Sequence, residues 1–526
     1  MSASEVAERR CHWFERLEEE RVDLLVIGAG IIGSRVAFEA ARQGLSVVLV
    51  DAGDFGGGSS AASSKLLHGG LRYLARGDLR LVRRLQLERN ALATRIAPHL
   101  VRPLPLLLVV ERGSARRVVK LGAALAVYSV VSGGRRPLPR LLRPALASRL
   151  APVDPMAINA CGVIHEASTH DTRLTLATAR AAARAGAVTM NYVRAVAFQR
   201  ARGRIAAVVL EDVHTNMQLT LRCSAVVNAT GAWLDSVRRL DDPHARPLTR
   251  LSKGVHVFLP LDSSWRAGIA LFDDTRSAFA IPWEGMLMLG ATDTLFEGDP
   301  ADATPGPADV ETLLSSFRGV LPDAQLYADR VVHATAGLRV LEPGSGETAQ
   351  ASRRHVVSVA PSGMISIAGG KLTTHRAIAI DALRRLPANL RPSSLSPSDE
   401  PLPGARAREA AAAAVGRRVD PETAAHLLHL YGADATRLLA YAESVPDALD
   451  PIHPDAPDVW AQAFFAVDDE WALTVEDITS RRTTLAVRGL GGEEVCRALD
   501  ALVPYPRDSP PLTTNRRRTL RLSLEA

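Results

Sequence analysis

Cysteine is scarce in this sequence and shows no pairing pattern. The 526 residues contain only Cys11, Cys161, Cys223 and Cys496. None belongs to a CxxC pair or to a Cys/His cluster with metal-ligand spacing. We therefore expect neither a disulfide framework nor a bound metal, and a reducing compartment fits the chain best.

Long apolar runs are also missing. Residues 1–21 carry several charges and no apolar core, unlike a signal peptide, and no run of 18 apolar residues predicts a transmembrane helix. The net charge is +6, from 63 basic and 57 acidic residues. This small excess suits an anionic substrate or an anionic membrane surface and does not by itself indicate nucleic acid. We expect a cytoplasmic protein without a nucleic-acid partner.

Residues 22–51 have the pattern of a βαβ unit, in which a glycine turn joins a buried strand to a helix. The turn is a GxGxxG motif formed by Gly28, Gly30 and Gly33, and Asp51 ends the second strand. Glycines here permit a tight turn, close approach of a pyrophosphate, and packing of helix on strand. Asp51 suits ribose hydroxyls and disfavours the 2′-phosphate of NADP. The motif predicts a dinucleotide but does not separate FAD from NAD.

Two later turns favour FAD. One follows an apolar strand at residues 225–227, as in flavoproteins, and the other joins a strand at 365–368 to a helix. A helix N-terminus aimed at a flavin would stabilise the negative charge that forms on reduction. The residues that we assign to the cofactor in these turns are Thr230, Gly231, Gly369, Gly370, Leu372 and Thr373.

A family resemblance appears in residues 59–74, which read SSAASSKLLHGGLRYL. They resemble the signature of FAD-dependent glycerol-3-phosphate dehydrogenases, in which a Ser/Thr-rich stretch leads into K-L-[IL]-H-G-G-L-R-Y-L. The likeness covers roughly residues 22–490. Other segments that match in the same order are 171–174, 228–233, 252–256, 281–283, 290–293, 336–339, 352–353, 369–374 and 469–483.

The resemblance implies an enzyme that oxidises sn-glycerol 3-phosphate to dihydroxyacetone phosphate. A hydride passes to FAD, and the electrons then pass to a membrane quinone. A homodimer is one possible assembly. The signature adds to the cofactor site Ser59, Ser60, Ser64, Lys65, Leu66, His68, Gly69 and Gly70.

The same resemblance assigns residues to the substrate. Arg72, Arg339 and Arg353 would bind its phosphate, which guanidinium forks suit best. Tyr73 would close the pocket near the flavin, and Lys371 would polarise the substrate oxygen. For the hydroxyl proton we favour His256, because histidine titrates near working pH, with Arg339 as the competing assignment.

The fold that we expect is α/β, with a Rossmann-like FAD-binding domain, an antiparallel-sheet cap domain and a helical C-terminal domain. Within the last, apolar residues at 467, 471, 475 and 478 predict one face of a helix. The boundaries that we predict are an N-terminal arm (1–21), FAD-binding parts (22–97, 161–248 and 333–388), a cap and membrane-contact segment (98–160), a cap and substrate domain (249–332), a linker (389–407) and the C-terminal domain (408–526).

Two questions stay open in the sequence. Residues 118–131 are apolar and flanked by arginines, which predicts either a helix lying peripherally on the inner face of the cell membrane or a buried helix of the cap. The motifs also fit a glycerol-3-phosphate oxidase that uses oxygen. Further alternatives are a related amine or amino-acid oxidase and a non-catalytic flavoprotein.

Overall fold

The computed structural model describes residues 3–70, 78–113, 115–132, 137–262, 264–272, 277–322, 326–344 and 354–505. The strands are β1 (Arg21–Ile27), β2 (Val47–Val50), β3 (Leu66–Leu67), β4 (Val101–Glu111), β5 (Arg140–Leu142), β6 (Ile158–Thr169), β7 (Val188–Met190), β8 (Val193–Ala201), β9 (Arg204–Asp212), β10 (Gln218–Asn228), β11 (Arg250–Pro260), β12 (Gly268–Phe272), β13 (Ser277–Trp283), β14 (Met286–Gly290), β15 (Thr294–Phe296), β16 (His333–Leu341), β17 (Val356–Val359) and β18 (Ile365–Ala368).

The α-helices cover both sheets and build the C-terminal part. They are α1 (Ala3–Glu19), α2 (Ile31–Ala41), α3 (Leu79–Ala91), α4 (Ala115–Val131), α5 (Pro144–Ala147), α6 (Asp171–Arg184), α7 (Leu234–Asp241), α8 (Pro307–Phe317), α9 (His375–Leu383), α10 (Arg408–Val415), α11 (Pro421–Tyr431), α12 (Ala435–Leu439), α13 (Trp460–Asp469), α14 (Val475–Asp477) and α15 (Glu493–Asp500).

The first sheet has a parallel centre. Its strands follow the order β17-β18-β10-β1-β2-β7, with β9 and β8 added beside β10, and β18, β10, β1, β2 and β7 are parallel. Helices α2, α6 and α9 pack on one face and α1 packs on the other. Burial on both faces explains the continuous apolar strands that the sequence shows. The predicted βαβ unit at residues 22–51 is confirmed.

The second sheet is mainly antiparallel. Its order is β15-β11-β14-β13-β12-β4-β6-β3, with β16 beside β11 and β5 beside β6. Residues 161–169 and 333–341, which we expected in the FAD-binding part, belong to this sheet, because β6 pairs with β4 and β16 pairs with β11. The predicted boundaries at 161 and 333 therefore each fall about one strand too early in the sequence.

The N-terminal arm is a docked helix. Phe14 and Leu17 of α1 are buried against the first sheet. Arg10 pairs with Asp212 at 2.5 Å and donates to the carbonyl of Asn191 at 3.0 Å. Apolar burial and this ion pair hold α1 at the turns that follow β7 and β9.

The predicted linker at 389–407 forms neither α-helix nor strand but is held along its length. The amide of Ser398 donates to the Glu39 carboxylate at 2.8 Å, and Arg35 donates to the Ser398 carbonyl at 2.6 Å. Leu402 is buried in the core of the first sheet. These contacts fix the connection to the C-terminal domain on the surface of α2.

The C-terminal domain is helical, as expected, but its predicted apolar helix is wrong. Helix α13 ends at Asp469, and Trp471 adopts a left-handed backbone conformation with φ 56°. The chain turns there, and α14 starts only at Val475. Val467, Val475 and Ile478 share one core cluster, whereas Trp471 packs against the core of the first sheet, so these residues do not form one helix face.

Buried ion pairs join this domain to the rest of the molecule. Arg173 of α6 donates to both carboxylate oxygens of Glu470, at 2.5 and 2.8 Å. Arg180 pairs with Asp434 at 2.8 Å. Burial alone would raise the pKa of Glu470, but the charges of Arg173 and Arg180 hold it below the usual value. The Arg173–Glu470 pair joins the family-like segments at 171–174 and 469–483, so those segments serve domain docking.

Glu470→Gln tests the strength of this docking. The substitution removes the charge opposite Arg173, whose side chain is only 4% exposed, and breaking a buried pair costs about 3 kcal/mol or more. Glu311→Gln, in an exposed pair with Arg318, should cost less than about 1 kcal/mol. Urea unfolding followed by tryptophan fluorescence measures both. Equal losses of stability would show that the buried pair does not hold the domains together.

Candidate functional site

A cavity of about 540 Å³ lies where the two sheets meet. Strands β1, β10 and β18 are parallel and end at the same edge of the first sheet, where the chain continues through Gly28, Ala229 and Gly369 into the cavity wall. Strands β11 and β16 of the second sheet form the opposite wall through Gly254, His256 and residues 337–341. Ligands bind at this edge in open α/β sheets.

The glycine turn fits a pyrophosphate. A Cβ on Gly33 would lie 1.8 Å from the Gly28 carbonyl oxygen, so only glycine permits this approach of helix to strand. Helix α2 begins directly after Gly30, which supplies no side-chain cap. The helix N-terminus therefore faces the cavity with backbone N–H groups and a partial positive charge.

Asp51 lies beside the turn and borders the cavity. Its carboxylate accepts hydrogen bonds from the backbone N–H groups of Ala29 at 2.7 Å and Gly53 at 2.9 Å. Burial raises the pKa of Asp51 to about 6. The side chain thus organises the turn and also presents an acceptor to the cavity.

Serine hydroxyls from the signature segment line the same wall. Ser59 donates to the Leu338 carbonyl at 2.6 Å, and Ser60 accepts from the Ile31 backbone at 3.0 Å. Ser64 lies 3.0 Å from Nε2 of His256. The segment therefore connects the start of α2 to both strands of the opposite wall.

His256 on β11 is 3% exposed. Burial, followed by the charges of Arg339 and Lys65, lowers its pKa to about 3. Its Nδ1 atom has no hydrogen-bond partner within the described residues. The imidazole is therefore neutral at neutral pH and able to accept a proton, although its basicity is weak until negative charge arrives nearby.

Arg339 on β16 reaches the cavity across β11. Its guanidinium donates to the Thr292 carbonyl at 2.8 Å and lies 3.7 Å from the Asp293 carboxylate. A Cβ on Gly254 would come within 2.4 Å of this guanidinium. The side chain thus lies flat over Gly254, with its plane fixed by its neighbours.

Lys371 lies just after β18 of the first sheet. It follows Gly369 and Gly370, both of which have positive φ, and precedes a 3₁₀ turn, Leu372–Thr374, that leads into α9. Lys371 and Leu372 border the cavity. His68, His256, Arg339 and Lys371 are among the charged and titratable side chains that border the cavity.

Of the cofactor and substrate residues expected from the sequence, fifteen border the cavity and three lie outside the described residues. The three are Arg72, Tyr73 and Arg353. The fifteen are Gly28, Gly30, Asp51, Ser59, Ser60, Ser64, His68, Thr230, Gly231, His256, Arg339, Gly369, Gly370, Lys371 and Leu372. The six that the structure places behind the wall are Gly33, Lys65, Leu66, Gly69, Gly70 and Thr373.

Contacts with other parts of the molecule hold several of these six residues away from the cavity. The Lys65 ammonium donates to Asp171 at 2.7 Å and to the Ala61 carbonyl at 2.7 Å, so it is a buried structural cation. Leu66 packs with aromatic side chains of the second sheet. The Gly69 amide donates to Glu166 at 2.6 Å, away from the cavity.

The sequence missed other wall residues. Arg194, Ala195 and Leu240 border the end near Asp51, and Trp233 lies beside Gly231. Arg194 is on β8, which no motif marks. Trp233 belongs to the family-like segment at 228–233, and its place after Gly231 could have indicated that it borders the cavity.

Comparisons with known proteins agree with this geometry. Residues 23–376 match the model of the FAD dependent oxidoreductase family, and residues 397–503 match the C-terminal domain of alpha-glycerophosphate oxidase. The glycerol-3-phosphate dehydrogenase of Mycobacterium leprae is 36% identical over 494 residues, 91% of this chain and 84% of that protein. The chain belongs to the FAD-dependent glycerol-3-phosphate dehydrogenase family.

Further members of this dehydrogenase family show the same extent of similarity. The Synechocystis glycerol-3-phosphate dehydrogenase is 31% identical, with 90% of each chain covered. The crystal structure of the Bacillus halodurans glycerol-3-phosphate dehydrogenase complexed with FAD is 27% identical and covers 94% of this chain and 93% of its own, with a TM-score of 0.76. FAD is therefore the cofactor of this chain, and the expected fold class is confirmed.

The charge state of His256 is open to direct measurement. Because its pKa is lowered to about 3, the neutral form persists at every pH well above that value. In the FAD-loaded protein without substrate, we expect the histidine NMR signal that His256→Gln removes to show no titration between pH 5 and 8. A midpoint inside that window would mean that His256 is solvated or paired with a negative group.

Proposed function

We propose that this enzyme oxidises sn-glycerol 3-phosphate to dihydroxyacetone phosphate. The observation that carries the proposal is that Arg339, Lys371 and neutral His256 all border the cavity. Two fixed cations suit an anionic substrate, and an unprotonated imidazole suits removal of a hydroxyl proton. The names of the relatives support the same substrate.

The cofactor would lie along the wall formed by the first sheet. We assign its pyrophosphate to the backbone at Gly30 and the N-terminus of α2, and a ribose to Asp51. The flavin would then lie near Gly369 and Gly370, with the 3₁₀ turn at its edge. Bound FAD supplies the hydride acceptor, and the chain supplies orientation and charge.

Arg339 would bind the substrate phosphate or the reacting oxygen. A phosphate monoester carries close to two negative charges near neutral pH, and its arrival offsets the repulsion that Arg339 and Lys65 exert on protonated His256. The substrate would thus strengthen the base that it requires. Arg72, Tyr73 and Arg353 remain predictions, since the structure does not describe them.

We assign the C2 hydroxyl proton to His256, either directly or through Ser64. The Ser64 hydroxyl lies 3.0 Å from Nε2, and both residues border the cavity. As the C2 hydrogen leaves as a hydride, the O–H bond breaks and the imidazole gains the proton. Lys371 would stabilise negative charge on the oxygen during this step.

The electron acceptor that we propose is a membrane quinone, reached from the outer surface of α4. Leu125 and Tyr128 of this helix are buried, whereas Val119 and Val130 are 73% and 79% exposed. Exposed arginines at 112, 116 and 117 precede this apolar face. In the part of the chain that the structure describes, no helix has the length and apolarity needed to cross a bilayer. An amphipathic helix with cationic flanks instead fits peripheral contact with anionic lipid.

Anaerobic titration of the FAD-loaded protein tests the substrate. We expect sn-glycerol 3-phosphate, but not glycerol, to bleach the flavin absorbance. Gly254→Ala should displace the Arg339 guanidinium and raise the half-bleaching concentration at least about tenfold, as should Arg339→Ala. Gly492→Ala, which has open space around its Cβ, should leave the half-bleaching concentration unchanged.

Two outcomes of that titration would redirect the assignment. A yellow protein that sn-glycerol 3-phosphate fails to bleach would exclude this substrate. If the reduced enzyme reoxidises in air as fast as with a soluble quinone analogue, the acceptor would be oxygen and the protein an oxidase.

Vesicle binding tests the membrane surface. Replacing Val119, Val127 and Val130 by serine should weaken binding to phosphatidylglycerol vesicles at least about tenfold. Each of these valines would contribute on the order of 1 kcal/mol to the free energy of binding when it is buried in the lipid. Val359→Ser, a valine on β17 with 47% exposure, serves as the matched control. Cosedimentation measures both. Equal binding of the triple variant and the wild type would remove α4 from the interface.

A further inference from the structure

The loop at residues 51–57 supports the glycine turn from behind. Asp51 accepts from the Ala29 backbone at 2.7 Å, and the Gly56 amide donates to the Ala29 carbonyl at 3.1 Å. Asp51 and Ala52 also form part of the cavity wall. The position of this loop therefore sets the position of the backbone that faces the cofactor.

The opposite side of the same loop is held by the C-terminal domain. Asp54 is 4% exposed, and its carboxylate accepts hydrogen bonds from Arg481 and Arg482, the latter through Nη2 at 2.8 Å. Phe55 is fully buried, and its ring meets the Trp471 ring edge to face with 5.1 Å between centroids. Two consecutive loop residues thus bind the C-terminal domain directly.

The two arginines have little freedom to leave Asp54. Arg481 also pairs with Asp477 at 2.5 Å, and Arg482 donates to the Glu470 carbonyl at 2.5 Å. Burial alone would raise the pKa of Asp54, yet the charges of Arg482 and Arg481 hold it below the usual value. Loss of one partner would leave a buried charge uncompensated, which strongly destabilises such a cluster.

We propose that the C-terminal domain is a clamp on the cofactor site, in which Asp54, Arg481 and Arg482 are positioning residues for the 51–57 loop. Binding of FAD and the contact of Arg481 and Arg482 with this loop are then thermodynamically coupled. Coupling is reciprocal, so the loop contact strengthens FAD binding and FAD strengthens the loop contact to the same extent. The proposal concerns cofactor retention and is independent of the substrate.

Substitution of Arg482 tests the first half of this coupling. Arg482→Gln should raise the FAD dissociation constant about tenfold, within the usual range for coupled sites, and Arg482→Lys should give an intermediate value because it keeps the charge and loses the fork. Equilibrium dialysis and the fluorescence of released FAD measure the constant. The matched control is Arg180→Gln, which breaks the docking pairs with Asp434 and Glu470 and has no contact with the loop.

A purely structural role predicts a different pattern. The thermal midpoint should fall in both Arg482→Gln and Arg180→Gln, but only Arg482→Gln should weaken FAD binding. An unchanged FAD dissociation constant in Arg482→Gln, or an equal rise in Arg180→Gln, would overturn the proposal.

The wild-type protein tests the second half without any variant. Removal of FAD should increase hydrogen exchange in residues 475–485, far from the cavity wall in sequence, and added FAD should restore protection. The exposed helix α10 is the internal reference and should respond less. If exchange in residues 475–485 is the same with and without FAD, docking is not coupled to the cofactor and the clamp is wrong.

Discussion

The compensation of buried charge around Asp54 is the interaction on which the domain arrangement depends. Asp54, Asp477, Arg481 and Arg482 are almost fully enclosed, and each carboxylate there is paired with at least one guanidinium. Asn191 extends the cluster by donating to Asp54 at 3.1 Å, and Arg10 of α1 contacts the same asparagine. Segments from the N-terminus, the first sheet and the C-terminal domain thus meet at one electrostatic centre.

The parts of the fold that local sequence determines were predictable. The βαβ unit at residues 22–51 follows from apolar runs and glycines whose roles are set within thirty residues of chain. The placement of β6 and β16 was not predictable, because these two strands pair with β4 and β11, which are not their neighbours in the sequence. The apolar spacing around Trp471 imitated a helix face, although a left-handed residue interrupts the chain there.

The same distinction applies to the site. Glycines and serines in the turns could be predicted, since backbone geometry demands those residue types. The position of Lys65 could not be predicted. The residues around it in the motif do not indicate that its ammonium pairs with Asp171, which lies far along the sequence. The lowered pKa of His256 arises from burial and from cations on other segments. Spacing in the sequence carries no information about those neighbours.

The walls of the cavity come from segments that are widely separated along the chain, the first near residue 27 and the last at Leu372. During synthesis the glycine turn leaves the ribosome early, but the opposite wall and the turn at 369–372 follow only after most of both sheets have been made. Domains tend to fold as units in the order of synthesis. The nascent chain therefore has to fold much of both sheets before the cofactor site is complete, and flavin can bind fully only late in biosynthesis.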